Sequence, residues 1–146
     1  MIQLVKGDVT QPIGDGTKLI VHCCNDIGVM GAGVAKAIAD KWPTVKNHYK
    51  SFWYNKIVYR DTPFVLGQIQ IVQVEKDIYV CNLIGQRDIK GEQIGDIFLA
   101  PIRYEALEEG FLRIKAKIKD SKHNNISLHF PMIGAGLARG NWNRIY

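Results

Sequence analysis

The chain has 146 residues, of which 47% are hydrophobic and 23% charged, and its formal net charge is +5. This composition is typical of a globular protein with a core of its own, so we expect residues 1–146 to form a single domain. No apolar run approaches the roughly 20 residues that a membrane span requires. The three cysteines do not make a disulfide framework. We therefore expect a cytoplasmic protein, and its positive charge suits an acidic ligand.

The predicted elements begin with strands at residues 2–5 and 18–24. The second strand is apolar throughout, which is typical of a central strand buried on both faces. A glycine-rich loop and a short helix from Val34 follow, and Pro43 ends that helix. Thr44 is the expected N-cap of a second helix that runs to about Asn55.

The middle of the chain is predicted as an antiparallel hairpin formed by residues 66–74 and 78–84. Residues 85–95 are polar, contain three glycines and are predicted as a loop. A long helix is expected from about Ala100, with Pro101 in its first turn, where proline is tolerated.

The long helix has an apolar stripe for the core, interrupted by Gly110, which should weaken the helix by about 1 kcal/mol relative to alanine. Residues 126–130 are predicted as a further buried strand. Helices alternate with strands, which favours a layered α/β sheet. Residues 141–146 look like the first turn of another helix, so we expect either a natural chain that extends beyond Tyr146 or a disordered end.

Two glycine-rich loops follow buried strands. The first contains Gly28, Gly31 and Gly33 and leads into a helix, and the second covers residues 131–137. The N-terminus of a helix offers backbone N–H groups and the positive end of the helix dipole, which favour an anion. We therefore hypothesise that the two loops hold one phosphate-containing ligand.

Well-known catalytic motifs are absent from the sequence. It contains no P-loop, no G-x-G-x-x-G dinucleotide fingerprint, no H-E-x-x-H and no G-x-S-x-G. His22 and Cys24 share one side of a strand and could form a metal pair or a Cys–His dyad. Further zinc ligands are not evident, so a buried structural cysteine is the favoured interpretation of Cys24.

Asp8 and Asn25 are polar residues that we place immediately after predicted buried strands. Such an aspartate can accept hydrogen bonds from a ligand amine or hydroxyl, and such an asparagine can orient a sugar hydroxyl or a water. Both residue types are also normal in turns, and the spacing does not separate the two interpretations.

Four sequence blocks together closely resemble a macrodomain, the ADP-ribose-binding module. They are VKGDVT (5–10), HCCN (22–25), GVMGAGVAKA (28–37) and FPMIGAGL (130–137). The histidine before the cysteines and asparagine, and the GLARGNW (136–142) that extends past the second loop, are similar to the Appr-1″-p processing branch. That branch includes ADP-ribose 1″-phosphatase and terminal ADP-ribose protein glycohydrolase.

This resemblance implies a three-layer α/β/α fold with a mixed central sheet, whose C-terminal helix or strand is incomplete here. It implies that Asp8 binds the adenine amino group beside Val9, and that Asn25 faces the distal ribose. The diphosphate and the distal ribose would contact Gly31, Ala32, Gly33 and Val34 on one side. The diphosphate would be held on the other side by Ile133, Gly134, Ala135, Gly136 and Leu137.

The resemblance also implies an activity, the hydrolysis of ADP-ribose 1″-phosphate to ADP-ribose and phosphate. His22 would be the acid–base group and Asn25 would orient the ribose or water, with no metal or cofactor. The glycohydrolase relatives use a lysine and an aspartate, but residues 83–86 contain no lysine and Ala138 stands where the aspartate would fall. The alternatives are a non-catalytic reader of ADP-ribose or ADP-ribosylated proteins, and a hydrolase that removes ADP-ribose from protein or nucleic-acid adducts.

Overall fold

The computed structural model describes residues 6–55, 63–123 and 125–131. The predicted opening strand at residues 2–5, most of the second glycine loop and the C-terminal turn at 141–146 lie outside these residues. The elements in chain order are β1 (Thr17–Asn25), α1 (Gly33–Lys41), α2 (Pro43–Tyr54), β2 (Ile69–Glu75), β3 (Ile78–Gln86), β4 (Glu92–Ile94), β5 (Ile97–Leu99), α3 (Tyr104–Asp120) and β6 (Ile126–His129).

The main sheet has the strand order β2-β3-β1-β6 in the described residues. Strand β1 pairs in parallel with both β3 and β6, whereas β2 and β3 form an antiparallel pair. The sheet is therefore mixed, and both the predicted hairpin and the central position of the first long strand are confirmed. The carboxyl end of β1, where Asn25 lies, leads directly into the first glycine loop.

The sheet buries a separate core on each face. Alternate residues of β1 point to opposite sides, so Ile20 and Cys24 join the core under α1 and α2, while Leu19 and Val21 join the core under α3. Two helices on one face and one on the other make the three layers, and the predicted α/β/α class is confirmed. None of the three helices in the described part of the chain has the length and apolar character needed to cross a bilayer.

The junction between α1 and α2 is set by one proline. Helix α1 ends at Lys41, and Pro43 occupies the first turn of α2, where its missing N–H has no intrahelical partner to lose. The predicted stop of the first helix is confirmed. The predicted N-cap at Thr44 is wrong, because the cap is Trp42 and Thr44 already lies inside the helix.

The start of the long helix was predicted too early. Helix α3 begins at Tyr104, because the residues before it pair with the end of β3. The N–H of Arg103 donates to the carbonyl of Gly85 at 2.8 Å, and the N–H of Arg87 donates to the carbonyl of Pro101 at 2.8 Å. The expected polar loop also contains part of a short hairpin, β4–β5.

Gly110 marks the closest approach of α3 to the sheet. It is buried, and a Cβ built there would lie 2.5 Å from Cγ of Leu83, which is itself fully buried in β3. A weak helix former therefore occupies this position because a side chain does not fit.

Replacing Gly110 by alanine should lower the free energy of unfolding by about 1–3 kcal/mol, measured by urea denaturation. The overpacking penalty exceeds the gain of about 1 kcal/mol in helix propensity. The control is Ala116→Gly, at an exposed position of the same helix, which should cost about 1 kcal/mol through propensity alone. In a Leu83→Ala background the Gly110→Ala penalty should disappear. A stabilised Gly110→Ala protein would contradict the packing argument.

Candidate functional site

The loop after β1 is organised by the side chain of Asn25, which is buried. Its Oδ1 accepts hydrogen bonds from the backbone N–H groups of Ile27 and Val29, both at 3.1 Å. Its Nδ2 donates to the carbonyl of Val29 at 2.6 Å. An asparagine can do this because one planar group carries both an acceptor and two donors. The residue predicted to face the ribose thus also shapes the loop that presents the glycines.

Tyr49 on α2 forms a hydrogen bond with the same asparagine. Its hydroxyl lies 2.6 Å from Oδ1 and 2.7 Å from the backbone carbonyl of Asn25, and it can donate to either. Burial raises the pKa of Tyr49, so the hydroxyl stays protonated. Sequence reasoning read this tyrosine only as core packing. The signal was available, because a buried tyrosine hydroxyl needs a hydrogen-bond partner.

The next turn of α2 supports the middle of the loop. Gly28 has a φ of +77°, and a Cβ there would lie 2.5 Å from Cδ2 of Trp53. The ammonium of Lys50 donates to the carbonyl of Gly28 at 3.2 Å. Both the left-handed conformation and the indole therefore require glycine at this position.

The loop ends at the N-terminus of α1, which is open to solvent. Residues 31–34 are all exposed, and Ala32 is an extended N-cap without a side-chain hydrogen bond to the helix. The first turn carries no acidic residue, and Gly33 has a φ of +61°. Exposed N–H groups at the positive end of a helix dipole attract an anion. Gly31, Ala32, Gly33 and Val34, the residues of the predicted anion loop, thus lie exposed at this helix N-terminus.

Asp8 lies in a tight turn that is tied to the other end of α1. Its Oδ1 accepts from the hydroxyl of Thr10 at 2.8 Å and from the N–H of Thr10 at 2.9 Å. These bonds, with the nearby Lys41 ammonium, lower the pKa of the exposed Asp8 carboxyl. Lys41 also donates to the carbonyl of Thr10. Val9 is half-buried and packs on the core under α1 and α2.

His22 points into the same core and is only 2% exposed. Its Nε2 lies 2.5 Å from Oδ1 of Asn82 on β3. Burial lowers the pKa of His22 to about 4, against a smaller opposing effect of the Asn82 hydrogen bond. The imidazole is therefore neutral at physiological pH.

The thiol of Cys24, which lies beside His22, is buried as well, whereas the neighbouring Cys23 is half-buried on the opposite face of the sheet. Cys24 Sγ lies 3.6 Å from Nε2 of His22, and burial raises the pKa of Cys24 well above its ordinary value. Burial also raises the pKa of Cys23 to about 12. Protonated thiols are poor nucleophiles, so this geometry favours the structural interpretation of Cys24 over a Cys–His dyad. Within the described ranges, no three His, Cys, Asp or Glu side chains cluster as metal ligands do.

Most of the second predicted ligand loop lies outside the part of the chain that the structure describes. The residues outside that part include all of its predicted ligand contacts, which are Ile133, Gly134, Ala135, Gly136 and Leu137, and also Ala138. The structure brings together the loop after β1, the start of α1 and the side of α2 that carries Tyr49, Lys50 and Trp53. The turn that contains Asp8 lies at the far end of α1.

Known proteins share this arrangement of elements. No protein-family model matches the chain. A macrodomain protein from Streptomyces coelicolor has a solved structure that is 34% identical, with a TM-score of 0.74, over 95% of this chain and 82% of that chain. The chain belongs to the macrodomain family. The resemblance inferred from the four sequence blocks is thereby confirmed.

Two further proteins resemble this macrodomain. A Bacteroides thetaiotaomicron protein of unknown function has a structure that is 39% identical, with a TM-score of 0.84, over 97% of this chain and 83% of that chain. An ADP-ribose 1″-phosphate phosphatase from Candida albicans is 25% identical over 149 residues, which cover 97% of this chain and 87% of that protein. The second similarity supports the predicted Appr-1″-p processing branch.

The support of the glycine loop by α2 can be tested with two glycine variants of this macrodomain. Gly28→Ala should lower the free energy of unfolding by about 1–3 kcal/mol in urea denaturation, because it combines backbone strain with a clash against Trp53. Gly31→Ala is the matched control, since nothing lies within 4 Å of its built Cβ and its φ is not positive. Equal losses in the two variants would contradict the argument.

Buried His22 should make the stability of this macrodomain depend on acid pH. Its pKa is 6.5 when unfolded and about 4 when folded, so between these values the unfolded state binds more protons. The free energy of unfolding should therefore fall by up to about 3 kcal/mol from His22 as the pH drops from 7 to 4.

Denaturation of the wild type and of His22→Gln across this pH range measures that contribution, which the variant should lack. The exposed His48 provides the control variant His48→Gln, which should keep the wild-type slope. The half-buried His129 has a lowered pKa too and adds to the slope of all three proteins, so only the difference between them reports on His22. Identical slopes in wild type and His22→Gln would refute the assignment.

Proposed function

We propose that this macrodomain binds ADP-ribose and hydrolyses ADP-ribose 1″-phosphate to ADP-ribose and phosphate. The observation that carries the proposal is the open N-terminus of α1, presented by a loop that Asn25 and α2 hold in place. The similarity to the Candida albicans phosphatase supports the choice of substrate. Residues 1–146 would act as one macrodomain.

The two ends of α1 suit an extended ligand. With nine residues, the helix is about 13 Å long, and it separates the Asp8 turn from the anion loop. ADP-ribose likewise carries adenine at one end and a second ribose at the other, joined by a diphosphate. Asp8 and Val9 would bind the adenine, residues 31–34 the diphosphate and distal ribose, and residues 133–137 the diphosphate from the opposite side.

Asp8 has the right charge state to bind an adenine amino group. Thr10 uses Oδ1, and Oδ2 has no hydrogen-bond partner among the described residues. The lowered pKa keeps this carboxylate ionised at neutral pH, so Oδ2 can accept a hydrogen bond from an amino group. The Lys41 contact to Thr10 would hold the turn in place against α1.

The reacting end of the ligand would lie near Asn25 and His22. The side-chain amide of Asn25 donates one N–H to the carbonyl of Val29, and its second N–H could orient the distal ribose or a water. We propose His22 as the acid–base group: because it is neutral at physiological pH, it is able to accept a proton from water. The three cysteines are free thiols, which is consistent with a reducing compartment such as the cytoplasm.

The test combines an ADP-ribose titration by calorimetry with an assay of phosphate release from ADP-ribose 1″-phosphate. The wild type should bind and turn over. Asp8→Ala should weaken ADP-ribose binding about tenfold or more, because a charge-assisted hydrogen bond is lost. Asp15→Ala is the matched control, an exposed aspartate seven residues further along the same approach to β1, and should bind as the wild type does.

The outcomes separate the alternatives. Phosphate release that is lost in His22→Gln, while ADP-ribose binding survives, would support the catalytic assignment. Binding without turnover would leave a reader of ADP-ribose, and turnover of an ADP-ribosylated protein or nucleic acid instead would favour removal of ADP-ribose from adducts. Absence of ADP-ribose binding would refute the whole proposal.

A further inference from the structure

We propose that Asn82 and Gln70 are positioning residues that hold His22 in one tautomer, with its proton on Nε2, so that Nδ1 is its basic atom. The catalytic consequence rests on the proposed function, in which His22 exchanges a proton with substrate or water. The tautomer itself follows from hydrogen bonds that cross the sheet and end on α2.

Three side chains form a continuous line of hydrogen bonds under α2. His22 Nε2 lies 2.5 Å from Oδ1 of Asn82, and Asn82 Nδ2 lies 3.0 Å from Oε1 of Gln70. Gln70 Nε2 lies 2.9 Å from the backbone carbonyl of His48. The line runs from β1 across β3 to β2 and then to α2, from a buried ring to the half-buried Gln70.

The far end of the line decides the direction of every bond in it. A backbone carbonyl only accepts, so Gln70 must direct its NH₂ group to His48 and its oxygen to Asn82. Asn82 must then donate to Gln70 and turn its own oxygen toward His22. Nε2 of His22 must carry a hydrogen, since the opposite tautomer would bring a lone pair to 2.5 Å from the Asn82 oxygen.

Other titratable groups around His22 do not compete with this line. The titratable side chains on the same face of the sheet include Cys24 on β1, Tyr49 on α2 and His129 on β6. The buried residues of α1, Ile38 and Ala39, are not titratable. Cys24 Sγ is 3.6 Å from Nε2 and 4.0 Å from Nδ1, and a thiol is a weak hydrogen-bonding group beside the Asn82 oxygen, which is 2.5 Å from Nε2. The hydroxyl of Tyr49 is already bonded to Asn25.

The arrangement assigns the proton transfers of the proposed reaction. As the oxygen of water forms its bond to phosphorus, its proton passes to Nδ1 of His22. The bond between phosphorus and the ribose oxygen breaks with its electron pair on that oxygen, which takes a proton from solvent. The proton on Nδ1 is then released to solvent, so His22 returns to its neutral form and the products are ADP-ribose and phosphate. Throughout, the Nε2–H bond to Asn82 stabilises the imidazolium, because an acceptor oxygen faces the charged ring.

The tautomer can be measured directly by NMR on protein labelled with ¹⁵N in its histidines, at pH 7. The wild type should show His22 as the Nε2–H form alone. Gln70→Met removes the group that orients Asn82 without touching His22, so both tautomers should appear. Gln73→Met is the matched control: this exposed glutamine of β2 bonds only to backbone carbonyls near the strand end, and the variant should keep the single tautomer.

An Nδ1–H wild type would overturn the proposal, as would a single Nε2–H tautomer in Gln70→Met. The wild-type spectrum is decisive by itself if the variant does not fold.

Phosphate release supplies the catalytic arm of the test. In Gln70→Met, kcat should fall about tenfold or more while the Kd for ADP-ribose stays unchanged, since orientation and not contact is lost. Gln73→Met should keep both values. A parallel loss of ADP-ribose binding would indicate a merely structural role and overturn the positioning assignment. If the wild type releases no phosphate, the proposed function fails, and the NMR result still decides the tautomer.

Discussion

The hydrogen bonds between the Tyr49 hydroxyl and Asn25 connect the core of this macrodomain to the glycine-rich loop after β1. Tyr49 is fully buried on α2 and packs against Phe64, with ring centroids 5.9 Å apart, so its hydroxyl is fixed by the core. Asn25 is fixed by the last pairing of the central strand. The loop between β1 and α1 therefore starts from a rigid point, and the direction of the α1 N-terminus follows from it.

The two faces of the sheet bury side chains of different polarity. Under α3 the core is built from apolar side chains such as Leu19, Val21 and Leu83. Under α1 and α2 it also contains His22 and Asn82, whose burial is unfavourable unless every polar atom is bonded. In the described part of the chain, no buried side-chain nitrogen or oxygen lacks a partner. The polar groups of this face thus form an ordered hydrogen-bond network.

Local sequence patterns predicted most of the fold and the outline of the site. Continuous apolar runs identified the central strand, alternation identified the β2–β3 hairpin, and Pro43 marked the boundary between two helices. The errors arose where a tertiary contact prevailed over a local preference. Thr44 is a good capping residue, but Pro43 had already begun the helix. Residues 100–103 could start a helix, but they pair with the end of β3 instead.

The sequence by itself determined the family and the layered α/β class, and it predicted an anion loop, because glycine spacing, apolar periodicity and strand-end residues are local patterns. Only the tertiary structure decided the roles of Tyr49, Gln70 and Asn82, which come from different elements and meet only when the sheet and α2 pack together. The tertiary structure also explains why glycine occupies position 110, because α3 packs too closely on Leu83 there for a side chain to fit. Contacts between residues far apart in the chain leave no spacing rule in the sequence, and the protonation state of His22 depends entirely on such contacts.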